Sequence, residues 1–234
     1  MPRPTWHRTA LSVTAVVIVA ACQDRGEDVR IHMQEHFEKA GEIHAAIIRG
    51  DLNAARAPAG WIMEHEPVDG SPPSWDPYVE TLRGAADQVR QAADLRTAAM
   101  ATSVMVGTCG NCHGALSQDV TFSASPIPPS DPSTVSHMLR HNWAAERMWE
   151  GLAIPSQEAW AQGIQLLAEV PLAAETLSAD SALAGQLAAL VEQVHDLGEE
   201  GAQAVSWRTR TSVYGRLIAT CASCHRLVRS AGPP

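Results

Sequence analysis

The chain has 234 residues, 45% of them hydrophobic and 18% charged, which suits a folded protein with a buried core and argues against a disordered one. Its formal charge is −9, an excess of carboxylates that disfavours nucleic acid as a partner. Only two Tyr and two Phe are present, runs of Val, Ile and Thr are scarce beyond the N-terminus, and Ala, Leu, Glu, Gln and Arg abound; an all-α fold is predicted.

Residues 1–22 are read as a lipoprotein signal peptide. Arg3 and Arg8 form a positive beginning, Ala10 to Ala21 is almost wholly apolar, and the stretch ends on small residues. It is too short to span a bilayer comfortably. Val19-Ala20-Ala21-Cys22 resembles the lipobox of bacterial lipoproteins, in which the cysteine is acylated and becomes the new N-terminus. Cys22 is then a lipid anchor, and several acyl chains suffice for stable tethering. The expected location is the bacterial cell envelope, facing the periplasm or at the cell surface. The competing reading is an ordinary signal peptide cleaved near Ala21 with a cysteine beside it. Removal of Arg3 and Arg8 makes the mature chain more acidic still.

The next element opens with Ile31-His32-Met33-Gln34-Glu35-His36 and runs as a helix to Gly50. Asp51 is a predicted N-cap for a second helix to about His65. A loop rich in Pro and Ser, Glu66 to Pro77, precedes a helix of about Val79 to Leu95 that leads into the segment bearing Cys109. Ser117 to Thr134 contains Pro126, Pro128, Pro129 and Pro132, and such a stretch cannot continue a helix. The pattern then restarts. Ser136-His137-Met138-Leu139-Arg140-His141 opens a helix to Gly151, Ser156 caps another to about Glu169, and Ala182 to Leu197 and Trp207 to His225 follow. His32 to His137 and Cys109 to Cys221 span nearly equal intervals. Two tandem four-helix domains, 23–116 and 135–234, are expected to flank a Pro-rich linker at 117–134.

Apart from Cys22, every cysteine belongs to one of two copies of a single motif: Cys109-Gly110-Asn111-Cys112-His113 and Cys221-Ala222-Ser223-Cys224-His225. Two thiols three residues apart on a helical turn can each form a thioether to a haem vinyl group, and the adjoining His then lies beneath the iron. Two covalently bound haems c are expected, attached through Cys109, Cys112, Cys221 and Cys224, with His113 and His225 as proximal ligands. Three other chemistries use paired cysteines. One structural zinc could join the pairs but would not need a His after each; thioredoxin-like redox pairs would sit among strands; and an oxidising compartment permits plain disulfides.

A four-helix unit with Cys-x-x-Cys-His near the end of its last helix resembles the class II c-type cytochromes, cytochrome c-prime and its low-spin relatives. Class I cytochromes carry the motif near the N-terminus instead. The resemblance covers nearly the whole mature chain as two copies; outside the two motifs it rests on helix order and position. It implies an up-down-up-down bundle with the haem between helices near one end and the distal side of the iron facing the first helix. Low-spin members supply a Met from that helix; high-spin members supply no strong protein ligand there and bind small gases.

Here the first helix of each half offers Met33 and His36, or Met138 and His141, three residues apart and on one helical face. His36 and His141 are favoured as distal ligands, since the pattern recurs in both halves and an imidazole on the apolar stripe of Met33, Phe37, Ala40, Ile43 and Ile47 needs a partner. Met33 and Met138 are the alternatives, and they would raise the haem potential. His32 and His137 lie further from that stripe. His44, His65 and His195 read as solvated or capping residues, Trp143, Trp149 and Trp160 as packing against the haem and in the bundle core, and Arg210 and Arg216 as partners of haem propionates or, more simply, as exposed arginines. No nucleophile, paired carboxylates or phosphate loop is found. One-electron transfer between redox partner proteins, steered by the acidic surface to a basic docking face, is the expected activity; the alternative is a gas sensor or peroxidase-like enzyme with an open distal site.

Overall fold

The computed structural model describes residues 11–169, 173–178 and 180–230; the side chains of 11–25, 174 and 175 also stand outside the description. The expected signal peptide and Cys22 therefore lie outside the described side chains. The described structure is all-helical: α1 (Leu11–Ile48), α2 (Leu52–Glu64), a 3-10 turn (Pro73–Trp75), α3 (Asp76–Gln91), α4 (Leu95–Ala115), α5 (Thr134–Ala153), α6 (Gln157–Leu167), the single turn α7 (Ala174–Leu177), α8 (Ser181–Gln203) and α9 (Trp207–Ser230). Among the described residues, no helix is long and apolar enough to cross a membrane.

The starts follow from local chemistry. Asp51 accepts from Ala54 N at 3.0 Å, Asp94 from Thr97 N at 2.7 Å, Ser133 from Ser136 N at 3.1 Å, Ser156 from Ala159 N at 3.1 Å and Asp180 from Leu183 N at 2.8 Å. Each occupies an otherwise unpaired helical N–H and stabilises its helix by about 1 kcal/mol. The third helix begins at Asp76, a little earlier than the sequence suggests, because Pro73–Trp75 forms a 3-10 turn that feeds it and Pro77 suits a first helical turn. Helix α9 continues beyond His225 to Ser230.

Helices α1 to α4 pack each on the next, with α1 also against α4; α5, α6, α8 and α9 are joined by the contacts of α5 with α6, α6 with α8, α8 with α9 and α5 with α9. Helices α4 and α9, which carry the Cys-x-x-Cys-His motifs, pack on each other as extensively as α5 and α6 do. They cross antiparallel: Gly107 faces Thr211 and Gly215 faces Ser103 and Met100. A Cβ on Gly215 would lie 2.7 Å from both Ser103 Oγ and Met100 Sδ, so only glycine permits this approach. Ser103 and Gly215 each stand six residues before the first cysteine of their motif. At 1.5 Å rise per residue, the two motifs therefore sit on opposite sides of the crossing, separated by roughly 18 Å along the helices.

Where α1 and α5 approach, His44 stacks on Trp149 at 4.6 Å between ring centres. His44 is buried, not solvated as the sequence suggests: it lies 2.6 Å from the Tyr214 hydroxyl, which donates to Ala145 O at 2.9 Å. With Nε2–H of His44 donating to the phenol oxygen, all three groups are paired. Trp143, Trp149 and Trp160 are core residues, as expected. Arg210 is also buried, contrary to the reading of an exposed arginine; it donates to Ala204 O and Gln157 and lies over the Trp160 ring. The segment between α4 and α5 is strapped down: Phe122 stacks on Phe37, Trp143 Nε1 donates to Ser125 O, and Arg140 donates to Pro128 O.

Candidate functional site

Each motif lies on a helix with its cysteines and histidine in the wall of a cavity. The first cavity, about 520 Å³, is bounded by Cys109, Cys112 and His113 on α4 and by His32, Met33, His36 and Phe37 on α1. His65, Leu82, Arg83 and Phe122 close it further. Its volume and apolar walls with a few polar groups match sites that take cofactor-sized ligands, about 300–1,000 Å³. Helix α4 ends directly behind His113, where Ser117 takes a left-handed φ of 52° and Gln118 N donates to His113 O at 2.9 Å, so the chain turns away from the cavity mouth.

The second cavity is about 80 Å³, lined by Cys221, Cys224 and His225 on α9, His137, Met138 and His141 on α5, and Leu177, Leu190, Val191 and Val194. The same chemical cast is present, but aliphatic side chains from α7 and α8 fill the space. The first cavity has the volume of a cofactor site, and the second is several times smaller.

The two motif histidines are oriented alike. His113 Nδ1 donates to Ala153 O at 2.8 Å and His225 Nδ1 to Ile48 O at 2.7 Å. Occupying Nδ1 fixes the tautomer and leaves the Nε2 lone pair for a metal.

In the wall of the same cavity as His113, His36 Nε2 is buried with no hydrogen-bond partner. A buried unpaired imidazole nitrogen is costly unless a ligand engages it. Met33 also borders the cavity but is 37% exposed, so its sulfur has no comparable need. Burial, reinforced by the neighbouring His32, His65 and Arg83, lowers the His36 pKa to about 3; burial, reinforced by His137, His195 and His225, does the same for His141. Both are neutral imidazoles at pH 7, the form that ligates metals.

The sequence reading missed the company these groups keep. His65 ends α2 as its C-cap, and His65 Nε2 lies 3.2 Å from His32 Nδ1. The His32, His36 and His65 ligand atoms lie within 4.8 Å of one another, the only such cluster of three or more potential ligands among the described residues. His195 stands edge-on to His141 at 6.2 Å, with its own Nε2 buried and unpaired. Arg83, on the wall of the first cavity, donates to His65 O at 2.5 Å and pairs with the exposed Glu66 at 3.4 Å, while its Nε is unpaired. A cation there suits an anionic substituent on a bound ligand. Arg216 makes an exposed ion pair with Glu200.

The four motif cysteines are free thiols, and the two pairs do not converge. Burial raises the pKa of Cys109 and of Cys221 to about 12 and also raises those of Cys112 and Cys224. Redox Cys-x-x-Cys pairs have depressed thiol pKa values, and zinc sites use thiolates. The raised thiol pKa values disfavour redox-pair chemistry, and the separation of the two pairs disfavours a single zinc joined by both. The chain was compared with protein-family models, with curated proteins and with solved structures, and none of them matches it.

Proposed function

We propose that this protein is a di-haem c-type cytochrome, made of two tandem four-helix units similar to class II cytochromes c, that passes single electrons at a membrane surface in the periplasm. Cys109, Cys112 and His113 hold one haem c, and Cys221, Cys224 and His225 the other. His36 and His141 complete the coordination from the first helix of each unit, and Cys22 carries the lipid anchor.

One observation carries the reading. Both Cys-x-x-Cys-His motifs line a cavity in which the motif histidine has Nδ1 engaged by a carbonyl and a neutral, partly buried imidazole from the first helix of its unit shares the wall. A bound haem supplies reversible one-electron iron chemistry. The chain's own part is to hold two imidazoles in their neutral form, to exclude water with Phe37, Leu82 and Phe122, and to offer Arg83 to an anionic group. On this reading the protein is an electron carrier, with docking partners of basic surface.

The test is an optical spectrum of the purified protein, oxidised and reduced, with haem counted as the pyridine haemochrome. Two haems c per chain with low-spin spectra unmoved by carbon monoxide are expected. A high-spin spectrum that shifts with carbon monoxide transfers the reading to gas binding or peroxidase-like chemistry, and absence of haem removes it.

A further inference from the structure

The carbonyls that orient the two motif histidines come from the opposite halves of the chain. His113, on α4, donates to Ala153, the last residue of α5; His225, on α9, donates to Ile48, the last residue of α1. These are matching positions, each the C-terminal residue of the helix that also bears the His-Met-x-x-His pattern. Carbonyls at a helix C-terminus have no intrahelical partner and carry the negative end of the helix dipole. An imidazole N–H is the complementary donor.

The surrounding packing is reciprocal as well. Gly50, just past α1, has a φ of +71°, and a Cβ there would lie 2.8 Å from Ala222 O and 2.7 Å from Arg226 Cγ. Gly110, inside the first motif, is pressed on Leu152 O, and its Cβ would lie 3.3 Å from Pro155 Cδ, just past α5. Arg229 of α9 donates to Arg49 O at the end of α1. Each first helix thus ends against the motif helix of the other half, and the crossing of α4 on α9 holds both ends in place.

We infer that the two halves are interlocked at their metal sites: Ile48 and Ala153 are positioning residues, each acting through its backbone carbonyl on the proximal imidazole of the haem bound by the other half. Proceeding from the di-haem reading, the basicity of each proximal ligand, and with it the potential of each haem, is set by the half that does not bind that haem. A disturbance at the end of α1 reaches the haem at His225, and one at the end of α5 reaches the haem at His113, while the haem in the disturbed half is spared.

The experiment is a spectroelectrochemical titration of the full-length, haem-loaded chain and two variants. The two redox waves are assigned with chains in which Cys109 and Cys112, or Cys221 and Cys224, are replaced by Ala. Gly50→Ala is expected to shift the oxidised-to-reduced ratio of the haem at His225 by about tenfold, equivalent to about 59 mV for a one-electron couple, and that at His113 by less than twofold. Pro155→Ala is expected to do the converse, by about threefold, and decides the matter alone if Gly50→Ala does not load haem. A shift confined to the haem of the mutated half, an equal shift at both, or none at either overturns the interlock. Those outcomes leave two haems in the haemochrome count; a wild-type chain without haem defeats the di-haem reading itself, a result of a different kind.

Discussion

The first motif faces a cavity of about 520 Å³ and the second one of about 80 Å³, although the motif, the His-Met-x-x-His pattern and the Nδ1 bond to a carbonyl are the same in both. The difference lies in the walls. Around His113 the far side is made of His65, of the segment leading to the 3-10 turn and of the strap carrying Phe122, all of which stand back from the motif. Around His225 the corresponding side is α7 and α8, whose Leu177, Leu190, Val191 and Val194 reach in. Ligand chemistry and ligand space are thus separable: the first is local to a helix, and the second is determined by whichever elements pack opposite.

On the proposed di-haem reading, the largest effects that sharpen this comparison come from removing attachment. Replacing Cys109 and Cys112 by Ala, or Cys221 and Cys224 by Ala, is expected to lower the haemochrome count from two haems to one in either case. A count still at two, or a drop to zero from either pair alone, breaks the equivalence of the motifs. Next come the distal groups. His36→Ala is expected to convert the first haem to a high-spin form that binds carbon monoxide, and His141→Ala the second, whereas Met33→Ala and Met138→Ala leave the low-spin spectra in place. If the methionine variants change spin state and the histidine variants do not, the assignment of ligands reverses.

A smaller effect concerns the core between the two sites. Burial holds the His44 pKa at about 4, below its ordinary 6.5, so the folded state keeps the neutral form and the unfolded chain binds the extra proton. Stability from this source is whole above pH 6.5 and is lost as pH falls from 6.5 towards 4. The share lost between pH 7 and pH 5 is about 2 kcal/mol. His44→Gln is expected to flatten the pH dependence of the urea midpoint by that amount while retaining a donor for Tyr214. An unchanged slope between pH 7 and pH 5 places the acid sensitivity elsewhere. Smallest is Arg216→Ala, which removes an ion pair with side chains 32% and 52% exposed; less than about 0.5 kcal/mol of stability is expected to go, measured by thermal unfolding.

Much of the helical layout was legible. Asp51 and Ser156 cap where a short polar side chain precedes an apolar period, and the prolines from Pro126 to Pro132 break the helical pattern wherever they stand. Such signals depend on residues a few positions apart. The burial of His44 and Arg210 and the approach of His65 to His32 were not legible, because each depends on a partner far away in the chain: Tyr214 for His44, Gln157 for Arg210, and a helix thirty-odd residues earlier for His65. A histidine on an apolar stripe, as His44 is beside Ile43 and Ile47, was the one available hint.

The sequence by itself determined what chemistry each helix can offer, since the spacing of Cys, Cys and His on a turn and of His, Met and His on one face is fixed by the period of the helix. Only the tertiary structure decided which half orients which imidazole and which motif has room before it. The first hangs on Ile48 and Ala153, whose backbone carbonyls carry no residue-specific signature, and on the antiparallel crossing at Ser103 and Gly215, where absence of a side chain lets two distant helices meet; the second hangs on the side chains that α7 and α8 bring opposite His225.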